Sequence, residues 1–425
     1  MNPFGLQGVK ESTRLTVDTM TNPTVSVIVP ARNEEVCLGA CLQSLVAQTG
    51  IAFEITVLDD ASTDRTAEIA RSFARRDADA GLDATRNKAT GNPIIGKGTT
   101  SSRVLPALYP ADVERPSTKH VGASSLHPDV HVISAPLLAE NWTGKNNAMS
   151  AGAKIAKGKW LLFTDADTMH KTGSLARAVA EAEQHGAALL SYSPEQEVRT
   201  LWERAVMPVI FAELASTYPP GKVNDPACPI AAANGQYLLI SREAYDAVGG
   251  HEPIANNLLE DVAMARLVKA SGRKIFFRYG GDAVRTRMYR SWAQMKEGWT
   301  KNLAILFPKA RALAFFRGTE FVLIFGNVVA AILTALLRRS DIAWLAGSLG
   351  CLLIASFWLR IRRAHFSLAS NLLALGGLGI FSYLLFRSAT LHRNHAVTWK
   401  GRRYGGIEEN TMADECPQSS SAGAR

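Results

Sequence analysis

An α/β fold with a mainly parallel sheet, followed by helices that enter a membrane, is what this 425-residue sequence predicts. Three observations carry it. Over the first half, short β-branched runs alternate with helix-period segments, the signature of βαβ units. Two of those strands end in paired carboxylates. After residue 313 come three long apolar runs flanked by arginine, so the 47% of hydrophobic residues is divided between two solvents.

The elements follow in order. TVSVIVP (24–30) is a buried-strand run closed by Pro30. Residues 33–47 have a helical stripe of Val36, Leu38, Leu42, Leu45 and Val46, with Asn33 as the expected cap. FEITVLDD (53–60) is the second strand, and a helix opens after Ser62 or Thr63. HVISAP (131–136) and KWLLFTDAD (159–167) are the third and fourth, followed by helices over 145–156 and 173–185. Further on, helices are expected over 200–216, from Glu243 and over 260–271, with strands at GQYLLIS (235–241) and KIFFRY (274–279). Residues 82–127 lack periodicity and are far longer than a normal connection, so they read as an insertion loop. GNPIIGKG inside it imitates a phosphate loop, but no strand precedes it and no helix follows. The organisation expected is a disordered segment 1–22, an α/β domain 23–288, an amphipathic interfacial helix 289–312, a membrane region 313–390 and a tail 391–425.

Composition narrows the function classes. The net charge is +9, and much of the excess sits beside the apolar runs, from Arg311 and Arg317 to Arg402 and Arg403. That placement suits membrane flanks. It does not suit nucleic acid, because the basic residues are not interleaved with aromatics on a soluble module. Five cysteines without framework spacing argue against a disulfide scaffold. Cys37 and Cys41 could share a helical face as metal ligands, but no second pair follows, and small buried residues are the simpler reading. Residues 1–22 have no apolar core of a signal peptide, so the α/β domain is expected in the cytoplasm at an inner membrane, where Asn141-Trp142-Thr143 is no glycosylation site.

Ligands of open parallel sheets bind outside the carboxyl ends of the strands. Here the first strand ends in PARNEE, the second in Asp59-Asp60 and the fourth in Asp165-Ala166-Asp167. One acidic pair is usually loop capping. Two pairs carried into one crevice are costly unless a cation or hydrogen-bonding ligand answers them. Asp165 and Asp167 flank a small residue and suit a hard ion, Mg²⁺ or Mn²⁺, whose open positions would take diphosphate oxygens. Lys145 opens a helix and could meet a phosphate as a point charge, or be merely solvated. Glu260-Asp261 opens another helix. This is either ordinary N-terminal acidity or, beside a metal-diphosphate site, a general base for an incoming hydroxyl.

Taken together, VSVIVPARNEE, LDDASTDRT, WTGKNNA, TDAD and LLEDVAMA, in this order over roughly residues 24–307, resemble the family 2 glycosyltransferases. The resemblance implies the GT-A nucleotide-sugar-binding fold, which is Rossmann-like, and inverting transfer from a nucleotide-diphosphate sugar, with a UDP-sugar the expected donor. By that likeness Pro30, Ala31, Glu34, Asp59, Asp60, Lys145 and Asp165 would hold the donor. Asp165 and Asp167 would hold the metal, Asp261 would be the base, and Glu260 and Trp299 would face the acceptor. NGQYLLISREAYDAVGGH, RMYRSWAQMKEGWTKN and VTWKGRRY are similar to membrane-anchored members associated with hopanoid and carotenoid glycosylation, which implies a lipid acceptor. The chain departs from the processive synthases: QMKEGW has Trp299 without the arginine before it.

Two other readings stand beside this one: a transferase loading sugar onto polyprenyl phosphate, and a non-catalytic nucleotide-sugar-binding membrane protein. The basic tail is expected on the same side as the α/β domain, which requires an even number of crossings. Of the three apolar stretches (321–337, 342–359 and 368–386), the first is expected to be re-entrant or interfacial, being shortest and containing Gly326 and Asn327; the competing reading is three full spans with the tail outside. Cys416 is the tail position expected to be shielded from an impermeant reagent. Finally, replacing residues 82–127 by a short Gly/Ser linker should leave a folded, nucleotide-binding domain, because the segment lacks a core-forming pattern. Loss of nucleotide binding in that variant would mean an integral element had been removed.

Overall fold

The computed structural model describes residues 22–74 and 128–404. The expected insertion 82–127, nearly all of the N-terminal segment and Cys416 lie outside them. The elements are β1 (Val25–Ala31), α1 (Leu38–Val46), β2 (Phe53–Asp59), α2 (66–74), β3 (Val130–Ser134), α3 (Gly144–Ile155), β4 (Trp160–Phe163), β5 (Thr168–His170), α4 (Ser174–His185), β6 (Leu189–Ser193), β7 (Glu195–Gln196) and α5 (Leu201–Thr217). They continue as α6 (Pro220–Val223), β8 (Leu238–Ser241), α7 (Arg242–Ala247), α8 (Glu260–Ala270), β9 (Ile275–Tyr279), β10 (Val284–Thr286), α9 (Trp292–Leu306), α10 (Ala310–Leu336), α11 (Ser340–Ile361), α12 (Leu368–Arg393), β11 (Val397–Trp399) and β12 (Arg402–Tyr404).

The central sheet has seven strands in the order β3-β2-β1-β4-β8-β6-β9, and β8 alone runs against its neighbours. The mainly parallel α/β sheet expected from the sequence is therefore present. Strand periodicity explains the layers: Val25, Val27 and Val29 face one apolar core with α1 and α4, while Ile28 faces the other with α3 and α8. Pro30 is tolerated inside β1 because pairing with β4 ends at Ile28, so its missing N–H breaks no bond on that side. Gly152 of α3 lets that helix sit directly on Ile28 and Leu58, where an added Cβ would come within 2.7 and 2.9 Å of their side chains.

Two expectations are corrected. The first helix begins at Leu38, not residue 33, and Asn33 is no helix cap. Asn33 takes a left-handed φ of 54° and its Oδ1 accepts from the Thr63 backbone N–H at 2.9 Å. Residues 33–35 are spent on binding the loop after β2, with Glu34 N–H donating to Thr66 and Glu35 N–H to Asp64. The first apolar helix is also not the shortest: α10 has 27 residues, because the apolar run continues an amphipathic segment that begins at Ala310.

A third core gathers α5, α9, α10 and α12 beneath the sheet. α5 opens with a capping box in which Thr200 and Glu203 satisfy each other's backbone. α12 crosses α5 so closely that a Cβ on Gly377 would lie 1.8 Å from the Ala205 carbonyl oxygen, while neighbouring Gly376 faces open space. Gly377→Leu should therefore lower the thermal midpoint by the equivalent of about 1–3 kcal/mol or more, as overpacking does, with Gly376→Leu near wild type. Equal midpoints for the two variants would contradict this packing.

Candidate active site

A cavity of about 710 Å³ opens at the carboxyl ends of β1, β2 and β4 and extends beneath them to α5, α9 and the turn at 363–366. Pro30, Ala31, Glu34, Asp60, Lys145, Asp165, Asp167, Glu260, Asp261 and Trp299 all line it. Of the residues expected there, Asp59 does not. It is half-buried, and its Oδ1 accepts from the Ser62 N–H at 3.3 Å, so it closes the turn after β2.

The fourth strand delivers the acidic pair. β4 is buried throughout, and the Thr164 N–H donates to the Ile28 carbonyl as the strand leaves the sheet. The Thr164 hydroxyl donates to Gln236 O at 2.8 Å, and the Asp167 carbonyl accepts from the Thr286 hydroxyl at 3.1 Å. The Asp165–Asp167 turn is thus pinned from both sides. The opposing charge comes largely from the chain itself. Lys145 Nζ lies 2.6 Å from Asp165 Oδ1 and 2.6 Å from Glu260 Oε1. Burial works against the Lys145 charge, but Asp165 and Glu260 hold its pKa well above the ordinary lysine value.

Lys145 is placed by α3. Thr143 caps that helix by accepting from Asn146 N–H, and the fully buried Asn146 amide donates to the carbonyls of Ile254, Ala255 and Asn257. The same side chain thereby fixes the loop that leads into α8. At the start of α8, Asp261 accepts from the Gly235 N–H at 2.7 Å and the Val262 N–H at 2.8 Å. Burial, and then Glu260, push its carboxyl up to about 6. Trp299 is 2% exposed and packs edge-on against Phe211 and Tyr289, so it forms the cavity wall more than a reaching contact.

Sequence reasoning set the tail, with Trp399 and Arg402, on the side of the active site but assigned it no contact there. The β11–β12 hairpin returns to the strand ends, where Arg402 grips Asp60 with two bonds of 2.7 and 3.1 Å. Lys400 bonds Glu34 and donates to the Arg32 carbonyl at 3.0 Å. Lys301 of α9 is half-buried in the same cavity, and that burial lowers its pKa. VTWKGRRY is visible as a basic segment, but nothing in its pattern says that it reaches Asp60.

Asp167 has no ion-pair partner among the described residues. Burial first, then Asp165 and Glu34, raise its carboxyl to about 7. Among the described residues no three His, Cys, Asp or Glu side chains gather as a cage of their own. Two carboxylates with one poorly compensated suit a divalent ion that completes its shell with diphosphate oxygens. Cys37 and Cys41 do not join them: burial pushes the Cys37 thiol up to about 12, and Cys41 is fully buried.

Comparison with known proteins gives the family. The sequence model of glycosyl transferase family 2 matches residues 26–89, and that of glycosyl transferase family 21 matches residues 128–412, about two thirds of the chain. The chain belongs to glycosyl transferase family 21. It is a glycosyltransferase, and the expected family 2 likeness holds over residues 26–89, which include β1 and β2, as does the expected GT-A fold class. The 4,4'-diaponeurosporenoate glycosyltransferase of Staphylococcus aureus (strain USA300) is 24% identical over 413 aligned positions, covering 89% of this chain and 88% of the relative. The protein of the same name from strain MRSA252 has the same identity and coverage. Among solved structures, the mannosyltransferase PcManGT from Pyrobaculum calidifontis in complex with GDP-Man and Mn²⁺ aligns at a TM-score of 0.44 and 17% identity, covering 88% of this chain and 87% of that one. S. aureus TarS 1–349 aligns at 0.37 and 14%, covering 91% and 100%.

Lys145→Met removes the cation between two carboxylates and any charge offered to a diphosphate. Nucleotide affinity is expected to fall at least about tenfold, a 1.4 kcal/mol loss, with partial recovery in Lys145→Arg. Titration of nucleotide into each variant reads this, and unchanged affinity in Lys145→Met would exclude Lys145 from donor binding.

Proposed function

We propose that this glycosyltransferase is an inverting, metal-dependent enzyme that moves a sugar from a nucleotide-diphosphate sugar to a hydroxyl of a membrane lipid of carotenoid or hopanoid type. The observation that carries the proposal is the single cavity. It begins among Pro30, Glu34 and Asp60, passes Asp165, Asp167 and Asp261, and ends among Phe211, Leu214, Leu306 and Phe366 beside the apolar helices. One end suits a nucleotide and the other a lipid, with the acidic residues between. The S. aureus relative, whose name specifies diaponeurosporenoate, supports a carotenoid-type acceptor.

The roles follow from the geometry. Asp165 and Asp167 would hold Mg²⁺ or Mn²⁺, which supplies charge neutralisation at the leaving diphosphate. Lys145 adds a fixed positive charge at the same place. Asp261, with both oxygens held by backbone N–H groups, is oriented to take the acceptor proton. One direct displacement inverts the anomeric carbon. Glu260 lines the cavity and also holds Lys145. The cell location supported is a membrane with the catalytic domain at its cytoplasmic face, where nucleotide sugars are made.

A second reading has a specific observation behind it: Arg363 and His365 line the cavity beside Phe366, and such basic groups suit an anionic acceptor such as polyprenyl phosphate. Transfer to extracted lipids from a radiolabelled UDP-sugar decides between them. With a hydroxyl acceptor, Asp261→Asn should keep donor affinity and lose about 10²-fold or more in turnover. Because its carboxyl is raised to about 6, the base is lost as pH falls through that value, so wild-type turnover should drop below it. An anionic acceptor needs no base, and Asp261→Asn would then retain most activity. Chelation, Asp165→Ala and Asp167→Ala should each abolish transfer; full activity in any of them would remove the metal assignment.

A further inference from the structure

Length and composition make α10, α11 and α12 equal candidates to cross a membrane, with mean hydropathies of 2.0, 1.9 and 1.7. Their surroundings are unequal. In the most apolar stretch of each, 6% of α10 and 11% of α11 is buried, against 39% of α12.

The chain leaves the catalytic body and returns to it. On the way out, the Tyr218 hydroxyl donates to Leu306 O at 2.7 Å at the end of α9. On the way back, His392 bonds Lys301 O, and Arg402 then grips Asp60. Both ends of the segment from Ala310 to Val397 are thus on one side, so it crosses any bilayer an even number of times.

α10 and α11 form an antiparallel pair, with Gly350 against Asn327 and Val328, and Gly347 near Ala331. Its base is a closed set of four charges. Arg317 and Arg360 each bond both Glu213 and Glu320, two acids against two bases. Beyond that set, Val329, Ile332, Leu336, Trp344, Leu345 and Leu352 are exposed. From Phe321 to Leu336 α10 reaches about 24 Å at the helical rise, and the part of α11 before Arg360 reaches about 30 Å, comparable with a hydrocarbon core of roughly 30 Å.

α12 stays on the body from end to end. Phe366, just before it, packs on Phe211; Gly377 abuts Ala205; Phe381 meets Phe307; and the Ser388 hydroxyl donates to Thr300 O at 2.6 Å. Its buried stripe, including Ser370, Ala374, Leu378, Phe381, Leu385 and Ser388, runs its full length against α5, α9 and the base of α10. A helix that left the body to cross a bilayer would lose those partners after its first turns. The opposite face carries exposed Leu368, Leu372, Leu373, Tyr383 and Phe386, an apolar surface over which the described residues set only the Arg311 guanidinium, 6.0 Å from the Phe386 ring.

We propose that α10 and α11 are the two membrane crossings and that α12 lies in the plane of the membrane surface as the floor of the catalytic domain, its Leu372, Tyr383 and Phe386 face in lipid. This rests on the membrane reading given above. It keeps the even number of crossings expected from the sequence but assigns the in-plane role to the third apolar stretch instead of the first. The lipid end of the cavity, between Phe211, Leu306 and Phe366, then opens at the depth of the headgroups, and an acceptor enters sideways without leaving the bilayer.

Single cysteines in the full-length protein test this, on a background with the native cysteines replaced and transfer activity retained. A membrane-impermeant maleimide added to intact cells should label Ser340→Cys, at the tip of the α10–α11 pair. Arg362→Cys and Asn394→Cys, on either side of α12, should both label only after permeabilisation, at least about tenfold more slowly in intact cells. An epitope inserted between Arg339 and Ser340, or between Asn394 and His395, gives the same readout with native cysteines in place. Labelling of Asn394→Cys from outside while Arg362→Cys is protected means that α12 crosses, and overturns the proposal. Protection of Ser340→Cys overturns it as well, because the pair then does not cross. Failure of the membrane reading itself has a separate signature, release of the protein from membranes by alkaline carbonate.

Discussion

Lys145 between Asp165 and Glu260 is the contact on which the site depends. It joins three elements distant in sequence: the start of α3, the end of β4 and the start of α8. Without a cation there, the sheet would present like charges from separate segments into one partly dry crevice, an arrangement that costs more than loop capping can return. With it, α3 and α8 are drawn to the same point, and Asn146 fixes their spacing through the carbonyls of residues 254, 255 and 257. The position of Asp261 is then a consequence. It is one residue along from the glutamate that holds the lysine.

Among the described residues, the acidic side chains of the cavity divide into those held by a cation and those without an ion pair, Asp167 among them. Asp60 has Arg402 and Arg32, Glu34 has Lys400, and Asp165 and Glu260 share Lys145. Asp167 keeps a carboxyl raised to about 7 by burial and by its acidic neighbours. Groups strained in this way cluster where a ligand completes the charge balance. The site therefore has a polarity of its own, compensated toward β1 and β2 and open toward the end of β4.

Much of this was readable from local pattern. β1, β2 and β4 announce themselves because buried parallel strands are continuous apolar runs, and their acidic ends fall at the ligand-binding edge of any such sheet. α8 was readable because its acidic start precedes a helix-period stripe. What stayed hidden is non-local. Asn33 resembles a helix cap, and only the loop after β2, some 30 residues away, shows that its side chain is already engaged. Asp59 and Asp60 are identical in sequence context, yet one closes a turn and the other lines the cavity. α10, α11 and α12 share the same composition, and hydropathy is blind to which of them has a protein face to cover it.

The grip of Arg402 on Asp60 has a temporal side. The two residues are 342 positions apart, and every apolar helix lies between them. Ribosomes add about 5–20 residues per second, so Asp60 waits on the order of tens of seconds for its partner. By then α10 and α11 have had to find their place first. A chain cut short, or one whose apolar helices miss their destination, carries the strand ends and the aspartates but lacks the final wall of the pocket. Completion of the pocket is thus a check on its own biogenesis, coupling the finished cavity at the strand ends to delivery of the whole polypeptide.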